Sequence, residues 1–579
     1  MINIKINDIP VQVDEGVSVL QACRNLSIYI PTLCYVPLHL GGEKNNTASC
    51  RVCVVEIKGR RNLAPSCSTL CTEGMEIYTS TQRVIMARRT VVELLLSDHP
   101  QDCPTCDKNM HCKLQEVAFK MGIRDLPFKG EMSKEDKYTS NNFAIRRNPA
   151  KCILCGACVT VCNNIQKMGI LHEYSRGFKT QVGPAFGLPL DATACTYCGQ
   201  CVNVCPTGAI IQSSDVNDVW KLLGDKTKHV IVQVAPAVRV ALGEEFDYHI
   251  GTSVTGKIPS ALRTMGFKHV FDTDFAADLT IVEEATELVS RLKEGKNLPL
   301  ITSCCPGWIN MIEKKYPELL NLPSSCKSPH EMFGGVCKTY FAEKMGYDPK
   351  DVVVVSIMPC VAKKDEINRE ALKENGLKDV DYVLTTRDFA RMIKEAGINF
   401  DALQNSNFDD PLGESTGSAD IFGSTGGVME AAIRTAKYWI DGKCEDLEYE
   451  SIRGVDGIKV GSVSVGGKKL KVCVTSGLGN AQKILQMIKD GTADFDAVEI
   501  MACPGGCING GGQPIQSSKM SISIVRARQQ ALYTEDRSKL RRISAENKAV
   551  LKLYSDYFGE FGSHKAHEVL HTHFSSRKK

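Results

Sequence analysis

The sequence lacks long hydrophobic runs, an N-terminal targeting pattern and a charge imbalance. Its apolar runs stay far below the roughly 20 residues that cross a bilayer, and 352–358 is among the longest. The first residues alternate between apolar and polar, which argues against a signal peptide. With 70 Lys and Arg against 67 Asp and Glu, no basic field favours nucleic acid. We expect a soluble cytoplasmic protein without a membrane span or a nucleic-acid partner.

Cysteine, in contrast, is abundant. The 579 residues include 26 Cys, a share below the roughly 8–10% of small disulfide scaffolds. A chain of this length forms its own cores, in about three to five domains of roughly 100–200 residues. Hydrophobic residues at 43% and charged residues at 24% exclude disordered, collagen-like and coiled-coil classes. In a reducing compartment, abundant Cys indicates metal ligation or redox chemistry before disulfides.

The distribution of Cys divides the chain into a front and a back. Seventeen of the 26 Cys lie at or before Cys205. The front begins with a β-rich module and includes a polar stretch, 120–148, with 130–136 as the expected linker. From about 228, short buried strands alternate with helical patterns, which predicts α/β layers. The expected front elements are strands near 2–6, 11–13 and 52–57 and helices over 17–26 and 84–96; the expected back strands are 230–234, 298–302, 352–358, 382–385, 471–475 and 497–501.

A repeated four-Cys run is the strongest motif of the front. Each run has the bacterial ferredoxin spacing, in which three close thiolates bind one [4Fe-4S] cube and the fourth Cys reaches the other cube. Zinc knuckles are the alternative, since they also use Cys-x2-Cys, but the identical spacing of both runs disfavours them. The expected ligand sets are Cys152, Cys155 and Cys158 with Cys205, and Cys195, Cys198 and Cys201 with Cys162.

Two further groups precede this repeat. Cys34, Cys50, Cys53 and Cys67 have the general form of a [2Fe-2S] site, although the first gap is wider than the plant-type spacing. Zinc is the alternative there, and Cys71 could be mistaken for the fourth ligand. His99, Cys103, Cys106 and Cys112 lie within 14 residues and could close around zinc or a [4Fe-4S] cluster. His111 is a competing imidazole, disfavoured because its neighbour Cys112 would have to point the same way.

Three Cys motifs of the back lie at or just past the ends of expected strands, at 302–308, 358–360 and 501–513. Sheets of this class gather ligand-binding residues at the carboxyl ends of their strands. In this order the motifs closely resemble the signatures of the [FeFe]-hydrogenases, and the four front groups match the accessory clusters of that family's long forms. The resemblance covers nearly the whole chain, to the run 566–571 near its end.

The resemblance implies a set of cofactors and their ligands. The active centre of the family is the H-cluster, a [4Fe-4S] cube joined through one Cys sulfur to a di-iron unit that carries CO, cyanide and an azadithiolate. By this resemblance the cube ligands are Cys305, Cys360, Cys503 and Cys507, with Cys507 as the bridge. The His99 group becomes a His/Cys3 [4Fe-4S] site. The expected total is one [2Fe-2S] cluster, three accessory [4Fe-4S] clusters and the H-cluster.

The family also implies a proton relay and a pocket. By resemblance, the relay runs from the free thiol of Cys304 through Glu284, Ser324 and Glu287. Glu284 and Glu287 share a face of a helix expected over 282–292, where a solvated acidic face is the plainer interpretation. Lys363 matches the lysine that holds a cyanide ligand, and the pocket residues are Pro236, Met358 and Met501.

Three positions depart from the pattern of many single-chain members. Ala237 replaces a Ser, His330 replaces a Gln, and Pro504 replaces the His of a Cys-His pair. These changes resemble the subgroup that works in electron-bifurcating complexes. The implied partners are a flavin/NAD(P)-binding subunit, a small [2Fe-2S] subunit and ferredoxin. The alternatives are a stand-alone ferredoxin-dependent hydrogenase and, less favoured, a non-catalytic iron–sulfur sensor or assembly protein.

The implied fold class is an α/β catalytic domain, two-lobed and of parallel-sheet type, preceded by small α+β ferredoxin-like domains. The expected segments are a [2Fe-2S] domain (1–80), a His/Cys3 [4Fe-4S] domain (81–120), a linker (121–148), a 2[4Fe-4S] domain (149–215), the H-cluster domain (225–535) and a C-terminal segment docking on it (536–579). Two glycine-rich runs, 423–427 and 477–482, imitate anion-binding and dinucleotide loops but are too incomplete to favour either.

Overall fold

The chain is described from a computed structural model, which covers residues 1–35, 47–130, 132, 134–139, 142–374, 376–515 and 521–578. Residues 131, 133, 140 and 141 of the expected linker (121–148) lie outside the described residues. Within the described ranges, no helix combines the length and apolar character that would cross a membrane, and every Cys is free of a disulfide bond.

The N-terminal module is a mixed sheet with one short helix. Its strand order is β2-β1-β5-β3-β4, in which β1 pairs antiparallel with β2 and parallel with β5. The alternation of the first strand buries Ile4 and Ile6, as a half-buried strand requires. The strand expected over 52–57 begins at Val54 because the preceding residues form a turn. The elements are β1 (Ile2–Ile6), β2 (Ile9–Val13), α1 (Val19–Asn25), β3 (Val54–Ile57), β4 (Ala64–Pro65) and β5 (Glu76–Tyr78).

Two helices and a small Cys-rich module follow. The antiparallel pair β6–β9 joins the two ends of this module, and β7–β8 forms a hairpin within it. The helices α4 and α5 both start after a left-handed glycine, Gly156 and Gly199, so the repeated Cys runs adopt repeated local structure. The elements are α2 (Gln82–Ser97), α3 (Lys113–Lys120), β6 (Ile145–Arg147), α4 (Ala157–Thr160), β7 (His172–Tyr174), β8 (Gln181–Gly183), α5 (Gln200–Val204) and β9 (Ile210–Gln212).

The back of the chain contains two four-stranded sheets. The first, β11-β10-β13-β16, is parallel throughout. Every residue of β13 is buried, which explains its continuous apolar sequence, because parallel strands are covered on both faces. In the second sheet, β12-β19-β18-β17, only the hairpin partner β17 is antiparallel among its described pairs.

The sheet strands are β10 (His229–Val234), β11 (His269–Asp272), β12 (Leu300–Ile301), β13 (Val352–Met358), the hairpin β14 (Lys373–Glu374) and β15 (Leu377–Lys378), β16 (Tyr382–Thr385), β17 (Ile458–Val465), β18 (Lys468–Ser476) and β19 (Ala497–Met501).

The helices that cover these sheets are α6 (Val216–Gly224), α7 (Pro236–Arg239), α8 (Lys257–Thr264), α9 (Thr273–Glu294), α10 (Pro306–Lys315), α11 (Pro329–Val336), α12 (Ala342–Met345), α13 (Lys363–Glu366), α14 (Thr386–Glu395), α15 (Gly417–Asp420), α16 (Gly427–Asp441), α17 (Leu478–Lys489), α18 (Ile522–Ser538), α19 (Lys548–Leu553) and α20 (His564–Leu570). The helix expected over 282–292 is only the second half of α9. Its first half is almost wholly buried and so carries no amphipathic stripe that could reveal it.

Candidate active site

The three Cys motifs of the back converge on one cavity. Cys305 follows β12, Cys360 follows β13, and Cys503 and Cys507 follow β19, so the carboxyl ends of strands from both sheets supply the thiols. The cavity together with its opening to solvent has about 830 Å³ of space free of protein atoms, and all four thiols line it. The expected convergence at strand ends is therefore present in the fold.

Local structure fixes the two edges of this Cys group. Cys305 caps α10, with Pro306 at the first helical position, and its Sγ accepts a hydrogen bond from the Ala502 amide at 3.4 Å. Gly506 has a φ of 104°, and a Cβ there would lie 2.6 Å from the Thr425 amide nitrogen. A larger residue would push the Cys507 loop away from the cavity, which explains the glycine.

The four thiols fit an iron–sulfur cube by their chemistry. Burial raises the pKa of each of them. Such thiols would stay neutral and inert unless a metal bound the thiolates, because metal binding displaces the protons. Four thiols that line one mostly apolar cavity are unusual for an apolar core and suit a metal cluster.

The rest of the cavity wall is mostly apolar. Pro236, Ala237, Met358 and Met501 line it, as do Pro329 and Phe422. Lys363 brings a positive charge to this wall: its Nζ lies 3.2 Å from the Cys304 carbonyl oxygen and 2.7 Å from Glu366. A cation in an apolar cavity suits a ligand with anionic groups.

His330 also lines the cavity, and it belongs to a buried ionic cluster. Its Nε2 lies 2.8 Å from Glu366 and 3.2 Å from Glu331, and its Nδ1 lies 3.3 Å from the Ser356 hydroxyl. Burial and Lys363 lower the pKa of His330, but the two carboxylates outweigh them and raise it overall. Burial likewise raises the pKa of Glu366, yet Lys363 and His330 hold it well below its usual range. The raised pKa of His330 and the lowered pKa of Glu366 both indicate an ion pair, at a position where many single-chain members of the resembling family have a neutral Gln.

The expected relay begins at the cavity, which Cys304 lines. Glu284 is buried within electrostatic reach of Cys304, and its Oε1 accepts a hydrogen bond from the Ser303 amide at 3.2 Å. Burial raises the pKa of Glu284 to about 8. Its Oε2 has no hydrogen-bond partner among the described residues. An acid held mostly neutral beside a free thiol can carry a proton at neutral pH.

The outer half of the predicted relay is directly hydrogen-bonded. The Ser324 hydroxyl donates to Glu287 Oε2 at 2.7 Å, and Arg291 donates to the other oxygen at 2.5 Å. The inner half is not: among the described hydrogen bonds, none joins Cys304 to Glu284 or Glu284 to Ser324. The backbone of Cys326 spans that gap, since its carbonyl accepts from Ser303 and its amide donates to Ser324.

The two repeated Cys runs form two cavities of nearly equal size, about 480 and 460 Å³ of space free of protein atoms. Similar volumes fit two clusters of one kind. The fourth Cys of each run crosses to the other cavity, which is the arrangement expected from the spacing. Cys162 lines the first cavity with Cys195, Cys198 and Cys201, whereas Cys205 lines the second with Cys152, Cys155 and Cys158.

The four thiols of the expected [2Fe-2S] site are in mutual contact. Cys34 shares hydrogen bonds with Cys50 and Cys67, and Cys53 with Cys67. The Ala48 amide also donates to Cys67 Sγ at 3.3 Å, the kind of bond that tunes a cluster sulfur. Cys71 instead lies near Cys23, so the structure separates it from this group.

The His99 group lies beside the second ferredoxin-like cavity. His99 is buried and its Nδ1 has no hydrogen-bond partner among the described residues, an orphaned atom that suits a metal ligand. A Cβ on Gly208 would lie 3.0 Å from Cys106 Sγ. His111 points elsewhere: it is 54% exposed and its Nε2 lies 3.9 Å from Glu245.

The ferredoxin-like module packs directly on the large cavity. Cys198 lines both cavities, and Cys503 Sγ lies 3.9 Å from the Cys198 carbonyl oxygen. Gln200 donates to the Asn509 carbonyl at 3.0 Å. A Cβ on Gly199 would lie 2.9 Å from the Cα of Gly511, so both glycines allow this close approach. Electron transfer between the two centres would need no intermediate carrier.

The two glycine-rich runs are occupied by the chain itself. At the start of α16, Glu499 accepts hydrogen bonds from the amides of Gly426 and Met429 at 2.6 and 2.9 Å. At the start of α17, Gln166 accepts from the Leu478 amide at 2.7 Å. These contacts favour tight helix starts over phosphate sites.

Sequence reasoning missed several polar residues around the relay. Ser303, Ser325, Glu366 and His571 all contact the groups described above. Ser303 could have been noticed as the neighbour of Cys304. His571 could not, because it lies 246 residues from its partner Ser325 in the sequence.

Comparison with family models accounts for nearly all of the chain. The model described as "Iron only hydrogenase large subunit, C-terminal domain" matches residues 228–511, and "Iron hydrogenase small subunit" matches 522–577. At the front, a 2Fe-2S iron-sulfur cluster binding domain matches 1–82 and a 4Fe-4S dicluster domain matches 151–209. The "NADH-ubiquinone oxidoreductase-G iron-sulfur binding region" matches 88–127, the segment of the His99 group.

Individual relatives match over the full length. The chain is 48% identical to the "NADP-reducing hydrogenase subunit HndD" of Solidesulfovibrio fructosivorans, over 100% of both chains. It is 40% identical to "Iron hydrogenase 1" of Clostridium pasteurianum, over 99% of both. Among solved structures, a variant of apo [FeFe]-hydrogenase HydA1 from Chlamydomonas reinhardtii matches with a TM-score of 0.57 at 42% identity, covering 63% of this chain and 100% of that one.

Proposed function

Because the chain belongs to the [FeFe]-hydrogenase family, where it is a catalytic subunit with accessory iron–sulfur domains, we propose that it works within an electron-bifurcating complex. There it interconverts dihydrogen with protons and electrons and couples them to ferredoxin and NAD(P). The observation that carries the site assignment is the convergence of Cys305, Cys360, Cys503 and Cys507 on one cavity next to the free thiol of Cys304.

In this proposal the large cavity holds the H-cluster. The four cavity Cys would hold the cube as thiolates, with Cys507 as the link to the di-iron unit, for which the rest of the cavity would leave room. When bound, the cofactor supplies the metal and the amine base that split dihydrogen. Lys363 supplies the positive charge for its cyanide ligand, and the apolar wall excludes water, which strengthens that interaction.

The accessory sites form a branched electron path. Cys198 lines both the large cavity and its neighbour, so a cluster held in the neighbouring cavity would be the first to exchange electrons with the large cavity. The second ferredoxin-like cavity lies next, with both N-terminal groups beside it: Cys106 approaches Gly208, and Cys155 lies within electrostatic reach of Cys34. Clusters in the two N-terminal groups would then both lie next to the cluster of the second ferredoxin-like cavity. Each could serve a different electron-transfer partner of the same active site. The cofactor set is one [2Fe-2S], three [4Fe-4S] and the H-cluster.

Protons leave by the relay. Cys304 would take up a proton at the cavity as its own S–H proton passes to Glu284, and the proton that Glu284 already holds near neutrality, because its pKa is raised, would move on toward Ser324. A bridging water or a rotation of Glu284 Oε2 closes the gap to Ser324, which is hydrogen-bonded to Glu287. The buried position of Glu284 and the Ser324–Glu287 contact support this route over a solvated acidic face.

We also propose the domain limits expected from the sequence. They are 1–80, 81–120, 121–148, 149–215, 225–535 and 536–579, and the matched family segments 1–82, 88–127 and 151–209 fall close to three of them.

Isolation from the native host tests the bifurcating complex against the stand-alone alternative. The proposal predicts co-purification with a flavin-bearing subunit and a small [2Fe-2S] subunit. It also predicts dihydrogen-dependent NAD(P) reduction that requires ferredoxin. Full activity of the lone chain with ferredoxin would favour the stand-alone enzyme, the role compatible with the full-length match to Iron hydrogenase 1.

A non-catalytic sensor or assembly protein is the third possibility. The joint presence of Cys304, Glu284, Ser324 and Glu287 argues against it, because a protein without turnover has no use for a relay. A chain that carries the H-cluster after maturation but shows no dihydrogen turnover would favour the sensor.

A further inference from the structure

We propose that His571, oriented by Glu283, is the base that accepts protons from the outer end of the relay at Glu287. This inference rests on the proposed relay and extends it by a branch through Ser325. The branch lies outside the cavity and outside every Cys group described above.

The chain after α20 is fixed against the relay loop by main-chain hydrogen bonds. The Lys327 amide donates to the Leu570 carbonyl, and the Thr572 amide donates to the Ser325 carbonyl, both at 2.8 Å. Cys326 and His571 pair as an isolated antiparallel bridge. The backbone on both sides of the imidazole is therefore held in place, as a defined relay step requires.

Both imidazole nitrogens of His571 have a polar partner. Nδ1 lies 2.8 Å from the Ser325 hydroxyl, and Nε2 lies 3.0 Å from Glu283 Oε2. Ser325 also touches Glu287, through its amide at 3.1 Å and its hydroxyl at 3.5 Å from Oε2. The result is a continuous set of contacts from Glu287 through Ser325 and His571 to Glu283.

Glu283 fixes the tautomer that the proposal needs. The Gly562 amide donates to its Oε1 at 3.1 Å, and the Tyr554 hydroxyl donates to the same oxygen. Burial raises the pKa of Glu283, but the hydrogen bonds from His571 and Tyr554 outweigh burial and lower it overall. A carboxylate there keeps the imidazole proton on Nε2, which leaves Nδ1 as the acceptor that faces Ser325.

The other contact of Glu287 cannot carry a proton onward. Arg291 binds Glu287 Oε1 at 2.5 Å, and a guanidinium does not lose its proton in proteins. Apart from Ser324 of the relay, Arg291 and Ser325 are the residues that contact Glu287 oxygens among the described hydrogen bonds, and of these two only Ser325 leads to an imidazole. Besides Glu283, Glu287 and Tyr554, the charged or titratable neighbours of His571 include His567, whose ring stacks on it at 3.9 Å and which is exposed.

The step conserves protons. Glu287 passes its carboxyl proton to the Ser325 oxygen while the Ser325 hydroxyl proton moves to His571 Nδ1. The Nδ1 proton of the imidazolium then passes to a solvent water at the partly exposed edge that Ser325 and His571 share. The ring keeps its Nε2 proton on Glu283 and so returns to its starting tautomer.

The test compares variants of the maturated holoenzyme in weak and strong buffer, with an artificial electron carrier. H571Q and S325A should lose turnover at least about tenfold in weak buffer, the low end of what a positioned acid–base group contributes. Added imidazole should restore H571Q to within about twofold of wild type. H567Q is the matched control, since it removes a neighbouring imidazole without touching Ser325, and it should keep wild-type turnover.

A second readout does not depend on turnover. After a light-driven reduction, the proton-coupled change of the CO and cyanide infrared bands should slow in H571Q by the same factor as turnover in weak buffer. Band changes that involve an electron but no proton should keep their wild-type rate. Hydrogen–deuterium exchange of residues 563–578 should match wild type, which separates a relay defect from undocking of the segment.

The outcomes separate this inference from the function on which it rests. Wild-type turnover and band kinetics in H571Q, with E287Q impaired, would overturn the branch and leave release directly from Glu287. A loss in H571Q that imidazole does not restore, with raised exchange of 563–578, would also overturn it and assign His571 a structural role. Wild-type turnover in E287Q would instead remove the proposed relay itself.

Discussion

Replacing Glu284 with Gln leaves the shape of the relay intact and removes its ability to carry a proton. The amide oxygen can still accept from the Ser303 amide, which lies 3.2 Å from Oε1. Burial raises the pKa of Glu284 from 4.5 to about 8. At pH 7 about nine in ten molecules therefore hold the proton, and this fraction falls about tenfold per pH unit well above pH 8.

The expected result in wild type is dihydrogen evolution that is nearly constant below pH 7 and falls above about pH 8. In E284Q, turnover should drop by about 10²- to 10⁴-fold at every pH, the typical contribution of a positioned acid–base group, and the fall above pH 8 should disappear. Film electrochemistry over pH 5–9 measures both. E318Q is the matched control, since it removes a surface charge that pairs with Lys489.

The same shift predicts a change in stability. An acid with a pKa raised by folding binds more protons in the native state, so its contribution is fully present below pH 4.5 and is lost as pH rises through about 8. The raised pKa of Glu284 corresponds to about 5 kcal/mol in the free energy of unfolding. E284Q lacks this loss, so its Tm should rise relative to wild type between pH 5 and 9. Turnover of E284Q within threefold of wild type would refute the reasoning, and so would a Tm difference between E284Q and wild type that does not change with pH.

Three further substitutions test the site. C304S should keep the CO and cyanide infrared bands and lose at least about 100-fold in turnover, because a hydroxyl is a poorer proton donor than a thiol; full turnover would remove Cys304 from the relay. K363M leaves the buried Glu366 with only His330 as a cationic partner. The maturated K363M protein should lack the CO and cyanide bands, while its accessory clusters keep their paramagnetic signals. Intact CO and cyanide bands would contradict the role of Lys363. H330Q should shift the bands without removing them, because it replaces a buried cation near the cavity with a neutral amide; unchanged bands would show that the charge does not reach the cofactor.

Strands formed by short, continuous apolar runs were predictable from the sequence. The strands expected over 352–358, 382–385 and 497–501 have those bounds in the structure, because each is a short apolar run that parallel pairing buries on both faces. The strand expected over 298–302 contains only Leu300–Ile301. The residues that follow leave the sheet to bring Cys304 and Cys305 to the cavity.

The candidate site was predictable where ligands are close in sequence or belong to a motif. The crossed use of Cys162 and Cys205 followed from spacing alone and agrees with the two cavities. Tertiary contacts without a local signal were not predictable. The ion cluster around His330 and the contact between Ser325 and His571 join separate elements, and only the folded chain brings them together.

Infrared spectroscopy of the chain after maturation tests the central claim most directly, because CO and cyanide absorb where protein does not. The account predicts CO and cyanide bands that shift when dihydrogen is added, and their absence in C507S with the accessory clusters intact. A fully maturated, cluster-loaded chain without these bands would contradict the assignment of the cavity as the hydrogenase active site.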